Sequence, residues 1–131
     1  MNNIMVCYDG TGAAKNALRL AREQAAAFDA KVTVVTTLEK GAPDNQAQIN
    51  EAKKGLEYAQ SVLSSEGVSC ETDLLIRGMG TGEDLVRFAK DKNVELVIIG
   101  IVKKSKVGKI LFGSTAQYLI LNAPCPVLTV R

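Results

Sequence analysis

The sequence predicts a doubly wound α/β fold, in which helices cover both faces of an open, five-stranded parallel sheet. Short apolar runs alternate with helical patterns along 131 residues, in the order βαβαβαβαβ. Strict alternation of this kind implies right-handed crossovers between parallel strands. The hydrophobic fraction of 47% is too high for a disordered chain. The length fits one domain that spans residues 1–131.

The first half of the chain is predicted to form two strands and two helices. Residues 4–8 are a short apolar run before an Asp-Gly turn, which is typical of a buried strand. The β-branched run 31–38 predicts the second strand, and a helix over about 46–66 is expected to stop at Gly67. Between the strands, Thr11 is the expected N-cap of a helix. The expected inward face of that helix is Ala14, Ala17, Leu18, Ala21, Ala25 and Phe28.

The second half continues the alternation. A strand over 69–76 and a helix over 81–92 precede the run 95–100, which is apolar on both faces as a central parallel strand should be. The following stretch, 100–112, is predicted to be a long basic loop, part of it helical. The last strand covers 125–130, and Pro124 and Pro126 suit the beginning of an edge strand. The fourth helix begins at the Gly-Ser-Thr sequence, with an expected inward face of Ala116, Leu119 and Ile120.

This architecture predicts where a ligand binds. In an open doubly wound sheet, ligands bind beyond the carboxyl ends of the strands, where the winding direction reverses. The candidate site is therefore the set of loops that follow the strands, at residues 8–12, 36–41, 77–80 and 100–115.

Composition narrows the possible chemistry. The chain has no histidine, which excludes Ser-His-Asp and Cys-His nucleophile pairs and histidine metal sites. Cys7, Cys70 and Cys125 are odd in number and widely spaced, so they form neither a disulfide framework nor a CxxC metal site. We interpret Cys7 as a buried small hydrophobe. A cytoplasmic protein is expected, because the N-terminus lacks the basic stretch of a signal peptide and no apolar run reaches membrane-spanning length.

The charges are unevenly distributed. Residues 1–95 carry 11 basic and 14 acidic side chains, whereas residues 96–131 carry five basic side chains and no acidic one. Four lysines fall between positions 103 and 109, and they indicate either a solvated loop or an anion site. Charge alone slightly favours the loop. No nucleic-acid partner is expected, because the cluster is short and lacks interleaved aromatic residues.

Two segments are typical of phosphate and ribose binding, and each has a purely structural alternative. Free amides at the helix start near Gly113 suit phosphate oxygens, and the hydroxyls of Ser114 and Thr115 can donate to them. The alternative is an ordinary Ser or Thr N-cap. Asp9 can bond ribose hydroxyls or hold a metal bound to phosphates. Its alternative is an Asx turn that stabilises residues 9–12.

Several nucleotide-binding classes do not fit. The Gly10-x-Gly12 sequence lacks the third glycine of a dinucleotide fingerprint, since Lys15 stands there, and the second strand ends without an acid for a ribose. The Walker pattern is absent. A flavodoxin would need aromatic residues around its flavin, and a receiver domain would need an aspartate at the end of the third strand. The chain has no Trp, and it has Ile76-Arg77-Gly78 at that position.

Over essentially its whole length the chain resembles the universal stress protein family. The resemblance is carried by three segments, which are residues 6–11 at the first strand, residues 113–115 at a helix start, and the ending 123–131. It implies a parallel sheet of order 3-2-1-4-5. It also implies a homodimer, formed by antiparallel pairing of residues 126–130, and an exposed apolar edge strand favours such a partner.

The resemblance extends to a nucleotide site of the form G-x2-G-x9-G-[ST]. Gly100, Gly113 and Ser114 match it with the spacing intact, whereas Lys103 stands in place of the second glycine. A lysine there either crowds the loop, because side chains rarely adopt positive φ, or brings its ammonium group to a phosphate. The residues that the resemblance assigns to the nucleotide are Tyr8, Asp9, Thr37, Met79, Gly100, Lys103, Gly113, Ser114 and Thr115.

Within that set, the resemblance implies that Asp9 contacts the ribose or a Mg²⁺ ion on the nucleotide. It implies that Thr37 offers backbone contacts to adenine and that Met79 lies near the base.

The first hypothesis is therefore a stress-response module that binds ATP or AMP. The second is a nucleotide-free dimeric interaction protein, motivated by Lys103. A slow ATP hydrolase ranks third, since no residue stands out as a catalytic base. A binding or sensor protein is expected rather than an enzyme, with no membrane partner.

Overall fold

The computed structural model describes residues 1–39, 45–77, 80–102, 104–106, 109–111 and 113–131. The strands are β1 (Asn3–Cys7), β2 (Lys31–Glu39), β3 (Cys70–Arg77), β4 (Leu96–Gly100), β5 (Lys104–Lys106), β6 (Lys109–Leu111) and β7 (Val127–Val130). The helices are α1 (Gly12–Phe28), α2 (Asn45–Ser64), α3 (Thr81–Asp91) and α4 (Ser114–Asn122).

Five strands form one parallel sheet in the order β3-β2-β1-β4-β7. With β7 counted as the fifth strand of the alternating pattern, this confirms the predicted order 3-2-1-4-5. In β1, Ile4 is in register with Val32 on one side and with Leu96 on the other. The winding reverses between β1 and β4, so the carboxyl ends of these two strands mark the expected ligand position.

The alternation of side chains along β1 supplies both hydrophobic cores. Val6 and Tyr8 belong to the core under α1 and α2, together with Leu18. Met5 and Cys7 point to the opposite face and pack in the core under α3 and α4. Because a strand sends successive side chains to opposite faces, residues 4–7 of β1 must all be apolar to contribute to both cores.

Two predicted helix boundaries are confirmed. Thr11 is the N-cap of α1, and its Oγ1 accepts a hydrogen bond from the Ala14 amide at 3.1 Å. Gly67 follows α2 with a φ of +75°, a value that glycine adopts without steric cost. The Val68 amide then donates to the Leu63 carbonyl at 3.1 Å, which closes the end of the helix as in a Schellman motif.

Three expectations about packing and local structure are wrong. Phe28 is 52% exposed because it is the last residue of α1, and Asp29 turns the chain away in the left-handed conformation. Ile120 is 48% exposed, since the short helix α4 buries a narrow stripe that contains Ala116 and Leu119. The long basic loop is not partly helical in its described residues, because β5 and β6 pair there as an antiparallel ribbon.

Within the described ranges, no helix combines the length and the apolar character that crossing a bilayer requires.

Candidate functional site

A cleft of about 460 Å³ opens at the carboxyl ends of β1, β2 and β4, beside the first turns of α3 and α4. Seven of the nine residues assigned to the nucleotide from sequence line it, namely Tyr8, Asp9, Thr37, Gly100, Gly113, Ser114 and Thr115. The other two, Met79 and Lys103, lie outside the described residues. The first two strands thus supply one wall of the cleft, and β4 with α4 supplies the other.

The start of α4 presents an uncompensated positive dipole to the cleft. Its N-cap is Gly113, which has a φ of +88° and makes no side-chain cap hydrogen bond. The helical ladder begins where the Gln117 amide donates to the Gly113 carbonyl at 3.2 Å, so the amides of residues 114–116 precede it. The first turn contains no acidic residue. The alternative interpretation of Ser114 or Thr115 as the N-cap is therefore wrong, and neither hydroxyl is used in a cap.

The start of α3 differs in charge. Gly80 is its N-cap, and both Glu83 and Asp84 lie in the first turn. Asp84 is only 2% exposed, and its Oδ1 has no hydrogen-bond partner among the residues that the structure describes. Carboxylates in the first turn offset the positive end of a helix dipole. Of the two helix starts at the cleft, α4 is consequently the one whose field attracts an anion.

The Asp9 side chain stabilises the turn after β1 and also faces the cleft. Its Oδ1 accepts hydrogen bonds from the Thr11 amide at 3.1 Å and from Thr11 Oγ1 at 2.7 Å. The Asx-turn interpretation is therefore confirmed. The side chain remains exposed, and its Oδ2 receives no hydrogen bond from the described part of the chain. The turn and a ligand can accordingly use different oxygens of one carboxylate.

The ends of β1 and β2 are tied together beside Asp9. The buried Thr36 hydroxyl donates to the Tyr8 carbonyl at 2.7 Å, and the Tyr8 amide donates to the Val35 carbonyl at 2.9 Å. Thr37 follows at the rim of the cleft, half-buried. These bonds fix the backbone that a planar ligand would meet.

Gly100 is required by packing, with or without a ligand. A Cβ at this position would lie 2.5 Å from the Ala13 carbonyl oxygen and 2.5 Å from the Ala14 amide nitrogen. These are backbone atoms of the first turn of α1, which cannot move aside without displacing the helix. The first glycine of the G-x2-G-x9-G-[ST] pattern therefore lets α1 approach the end of β4.

Cys7 at the end of β1 and Tyr8 directly after it both line the cleft, and their side chains point to opposite faces of the sheet. The Tyr8 ring packs toward α2, where a Cβ at Gly55 would lie 3.4 Å from its Cε2. Burial, with the nearby Tyr58 and Asp9, raises the pKa of the Tyr8 phenol. Burial, with a smaller effect of Asp9, raises the pKa of the Cys7 thiol to about 12. Cys7 is thus an unreactive part of the wall, in agreement with its interpretation as a small hydrophobe.

Sequence reasoning missed Thr81, the first residue of α3. Its Oγ1 lies 2.6 Å from Thr115 Oγ1, and both side chains line the cleft. The available signal was the glycine at position 80 before a helical pattern, because a residue directly after an N-cap lies at the open end of its helix. Nothing local in the sequence indicates the contact, since its two partners are 34 positions apart.

The cleft offers little to a bare metal ion. No group of three or more His, Cys, Asp or Glu side chains able to hold a metal occurs in the described ranges. Asp9 is the one carboxylate among the described lining residues. Mg²⁺ is commonly bound through one or two carboxylates together with substrate phosphates and water. Asp9 therefore fits a magnesium ion that arrives on a nucleotide rather than one held by the protein alone.

The chain belongs to the universal stress protein family, whose family model matches residues 1–131. It is 34% identical to a universal stress protein of Thermus aquaticus over 135 residues, an alignment that covers 98% of this chain and 97% of the relative. The solved structure of a universal stress protein from Archaeoglobus fulgidus superimposes with a TM-score of 0.88 at 34% identity, covering 100% of this chain and 94% of that one. A structure of the Archaeoglobus protein in complex with dAMP gives a TM-score of 0.83 at 34% identity, with 100% and 98% coverage.

Proposed function

We propose that this protein is a stress-response module that binds an adenine nucleotide, AMP or ATP, in the cleft. The observation that carries the proposal is the acid-free start of α4 facing Asp9 and Thr37 across the cleft. The phosphates lie against the amides and hydroxyls of Ser114 and Thr115, where the helix dipole favours negative charge. The ribose lies near Asp9, and its hydroxyls donate hydrogen bonds to the free carboxylate oxygen of that residue.

The size and the lining of the cleft support this assignment. A volume of about 460 Å³ falls within the usual range for small-molecule sites, roughly 300–1,000 Å³. Apolar side chains, among them Val35, Leu85 and Ile99, line part of it and suit a purine ring. The dAMP bound to the Archaeoglobus relative, at 34% identity over the whole chain, also supports an adenine nucleotide. A magnesium ion on ATP would be held by Asp9 together with the nucleotide's own phosphates.

Calorimetric titration with AMP and with ATP, each with and without Mg²⁺, tests the proposal. The informative variant is Asp9→Asn, since the amide oxygen can still accept from Thr11 while the charge is lost. We expect nucleotide affinity to fall about tenfold, because hydrogen bonds to charged groups contribute about 1.5–3 kcal/mol. The control is Asp91→Asn, an exposed carboxylate at the far end of α3, and it should leave affinity unchanged.

Two outcomes contradict the proposal. One is the absence of both binding heat and thermal stabilisation at millimolar AMP and ATP. The other is binding that Asp9→Asn and Ser114→Ala both leave at the level of the unaltered chain.

The second candidate is a nucleotide-free dimeric interaction protein. Lys103, which replaces the second glycine of the family's nucleotide pattern, favours it. The Lys103→Gly variant separates the two functions. If the natural chain binds no nucleotide and Lys103→Gly binds it, the second candidate holds for the natural chain.

Both candidates include a homodimer formed through residues 126–130. Strand β7 is an edge of the parallel sheet, with β4 as its neighbour. Exposed apolar side chains lie on it and on the preceding helix, namely Leu128 at 38%, Ile120 at 48% and Leu121 at 73% exposed. Unpaired edges and exposed apolar residues favour association with a second chain. We further propose a cytoplasmic protein that acts as a binder or sensor rather than as an enzyme.

A further inference from the structure

The first turns of α3 and α4 are held in contact at the cleft. Thr81 Oγ1 and Thr115 Oγ1 are 2.6 Å apart, a distance typical of a hydrogen bond between hydroxyls. Beside them Gly82 packs on Tyr118, where an added Cβ would lie 2.8 Å from Tyr118 Cβ and 2.9 Å from the ring. The close approach thus depends on a glycine whose backbone rests on the neighbouring helix. The two backbones are thereby held close enough for the hydroxyls of Thr81 and Thr115 to meet.

Together the two hydroxyls can donate one hydrogen bond to a ligand. Each hydroxyl has one proton, and within the pair one proton is used in the bond between the two oxygens. Either oxygen can be the donor in the structure. A phosphate oxygen at the start of α4 only accepts, so a contact from Thr115 requires Thr115 to donate to the phosphate. Thr115 must then accept its second hydrogen bond, and Thr81 lies in place to donate it.

The charges around Thr81 disfavour the binding of an anion at the start of its own helix, α3. Glu83 and Asp84 follow it in the first turn of α3, whereas the first turn of α4 has no acid. An anion is therefore attracted toward Thr115 and away from the start of α3. Thr81 acts through its neighbour.

We propose that Thr81 is a positioning residue for the phosphate group of the bound nucleotide. It donates to Thr115 Oγ1 and so directs the remaining hydroxyl proton of Thr115 at a phosphate oxygen. This inference rests on the proposed function, because it requires a nucleotide whose phosphate lies at the start of α4. Its specific consequence is that removing the Thr81 hydroxyl weakens the binding of AMP but not that of adenosine.

The test compares AMP with adenosine, which has the same base and ribose but no phosphate. Thr81→Val keeps the branched shape of the side chain and removes the hydroxyl. We expect AMP affinity to fall about threefold to tenfold, the value of one ordinary hydrogen bond, and adenosine affinity to stay within about twofold. Thr81→Ser returns the hydroxyl and should restore AMP affinity.

A double-mutant cycle tests whether Thr81 affects the phosphate through Thr115. Thr115→Val should weaken AMP binding by itself, and adding Thr81→Val to it should cause little further loss. Residues that act in one hydrogen-bond network give such non-additive effects, whereas independent contacts add. Circular dichroism and melting temperature confirm that each variant folds, and Thr81→Ala repeats the measurement should Thr81→Val unfold.

Four results overturn the inference. Equal losses of AMP and adenosine affinity would show that Thr81 only supports the fold. Unchanged AMP affinity in Thr81→Val, or fully additive losses in the double variant, would show that it does not act through Thr115. If the unaltered chain binds neither ligand, the proposed function fails and this inference fails with it. Binding of AMP that is insensitive to Thr81 leaves the proposed function standing.

Discussion

Gly100 at the end of β4 touches the backbone of Ala13 in α1 so closely that no side chain fits between them. A Cβ at Gly100 would lie 2.5 Å from the Ala13 carbonyl oxygen. The contact joins the last residue of a central strand to the first turn of the helix that follows β1. Because the same glycine begins the family's nucleotide pattern, its presence has a structural reason that applies with or without a ligand.

Gly100→Ala should destabilise the fold through this contact. Forcing a methyl group against immobile backbone atoms corresponds to overpacking, and we expect a loss of about 3 kcal/mol in the free energy of unfolding. The matched control is Gly12→Ala in the first turn of α1, where an added Cβ would meet no atom within 4 Å. That change should be neutral or stabilise by up to about 1 kcal/mol, because alanine favours helices.

Urea unfolding of both variants measures these differences. A loss below about 0.5 kcal/mol for Gly100→Ala would contradict the packing argument. Such a result would leave ligand contact as the reason for the glycine.

Cys7 should make stability depend on pH in the alkaline range. Burial raises the pKa of its thiol from 9.0 to about 12 in the folded protein. Between these values the unfolded chain has released a proton that the folded chain still holds. The stabilising contribution is therefore complete below about pH 9 and is lost as pH rises toward 12.

The measurement compares the unaltered chain with Cys7→Ala at pH 9 and pH 11. The unaltered chain should lose about 2 kcal/mol more stability over this interval than the variant, since one pKa unit corresponds to 1.36 kcal/mol. Removing the sulfur also changes stability by an amount that does not depend on pH, and this amount cancels because only the change between pH 9 and pH 11 is compared. Parallel pH profiles for the two proteins would rule out the effect.

Leu128→Asp should convert the proposed dimer into a monomer. Residue 128 is the midpoint of 126–130, so antiparallel pairing of two such segments centred there brings residue 128 close to its own copy. Two like charges opposite each other across a strand pair are destabilising. Phe28→Asp is the control, since Phe28 is also an exposed large hydrophobe, at 52%, but lies at the end of α1.

Sedimentation velocity distinguishes the outcomes. We expect the unaltered chain and Phe28→Asp to sediment as dimers, and Leu128→Asp to sediment as a folded monomer. A dimer that persists in Leu128→Asp would place the interface elsewhere, and a monomeric unaltered chain would remove the proposal altogether.

The periodic signals in the sequence were sufficient for the alternation of five strands with four helices and for a parallel sheet, whereas the strand order followed from the resemblance to the family. Strands such as β4 are uniformly apolar because they are buried on both faces, and this distinguishes them from helices. The exposed positions of Phe28 and Ile120 were not predictable in the same way. Apolar residues at helical spacing show which face of a helix is buried. How wide that buried face is, and where it ends along the helix, depends on the neighbouring elements.

The candidate site was predictable where local motifs define it and not where distant residues meet. Asp9, Gly113 and Ser114 belong to short motifs that each follow or begin a single element. The contact of Thr81 with Thr115 depends on how α3 and α4 pack, and the sequence of neither helix contains that information. The basic stretch was misjudged for a related reason, because strands of three residues such as β5 are too short to show periodicity.

The position of β1 in the sheet has a consequence for synthesis of the chain. β1 pairs with β2 on one side as soon as residues 31–39 are available. Its other edge waits for β4, since Ile4 meets Leu96 about ninety residues later in the sequence. At roughly 5–20 residues per second, a ribosome takes about 5–20 seconds to deliver that partner. During this interval one edge of an apolar strand has no partner on the nascent chain, which makes it a surface that a chaperone could bind.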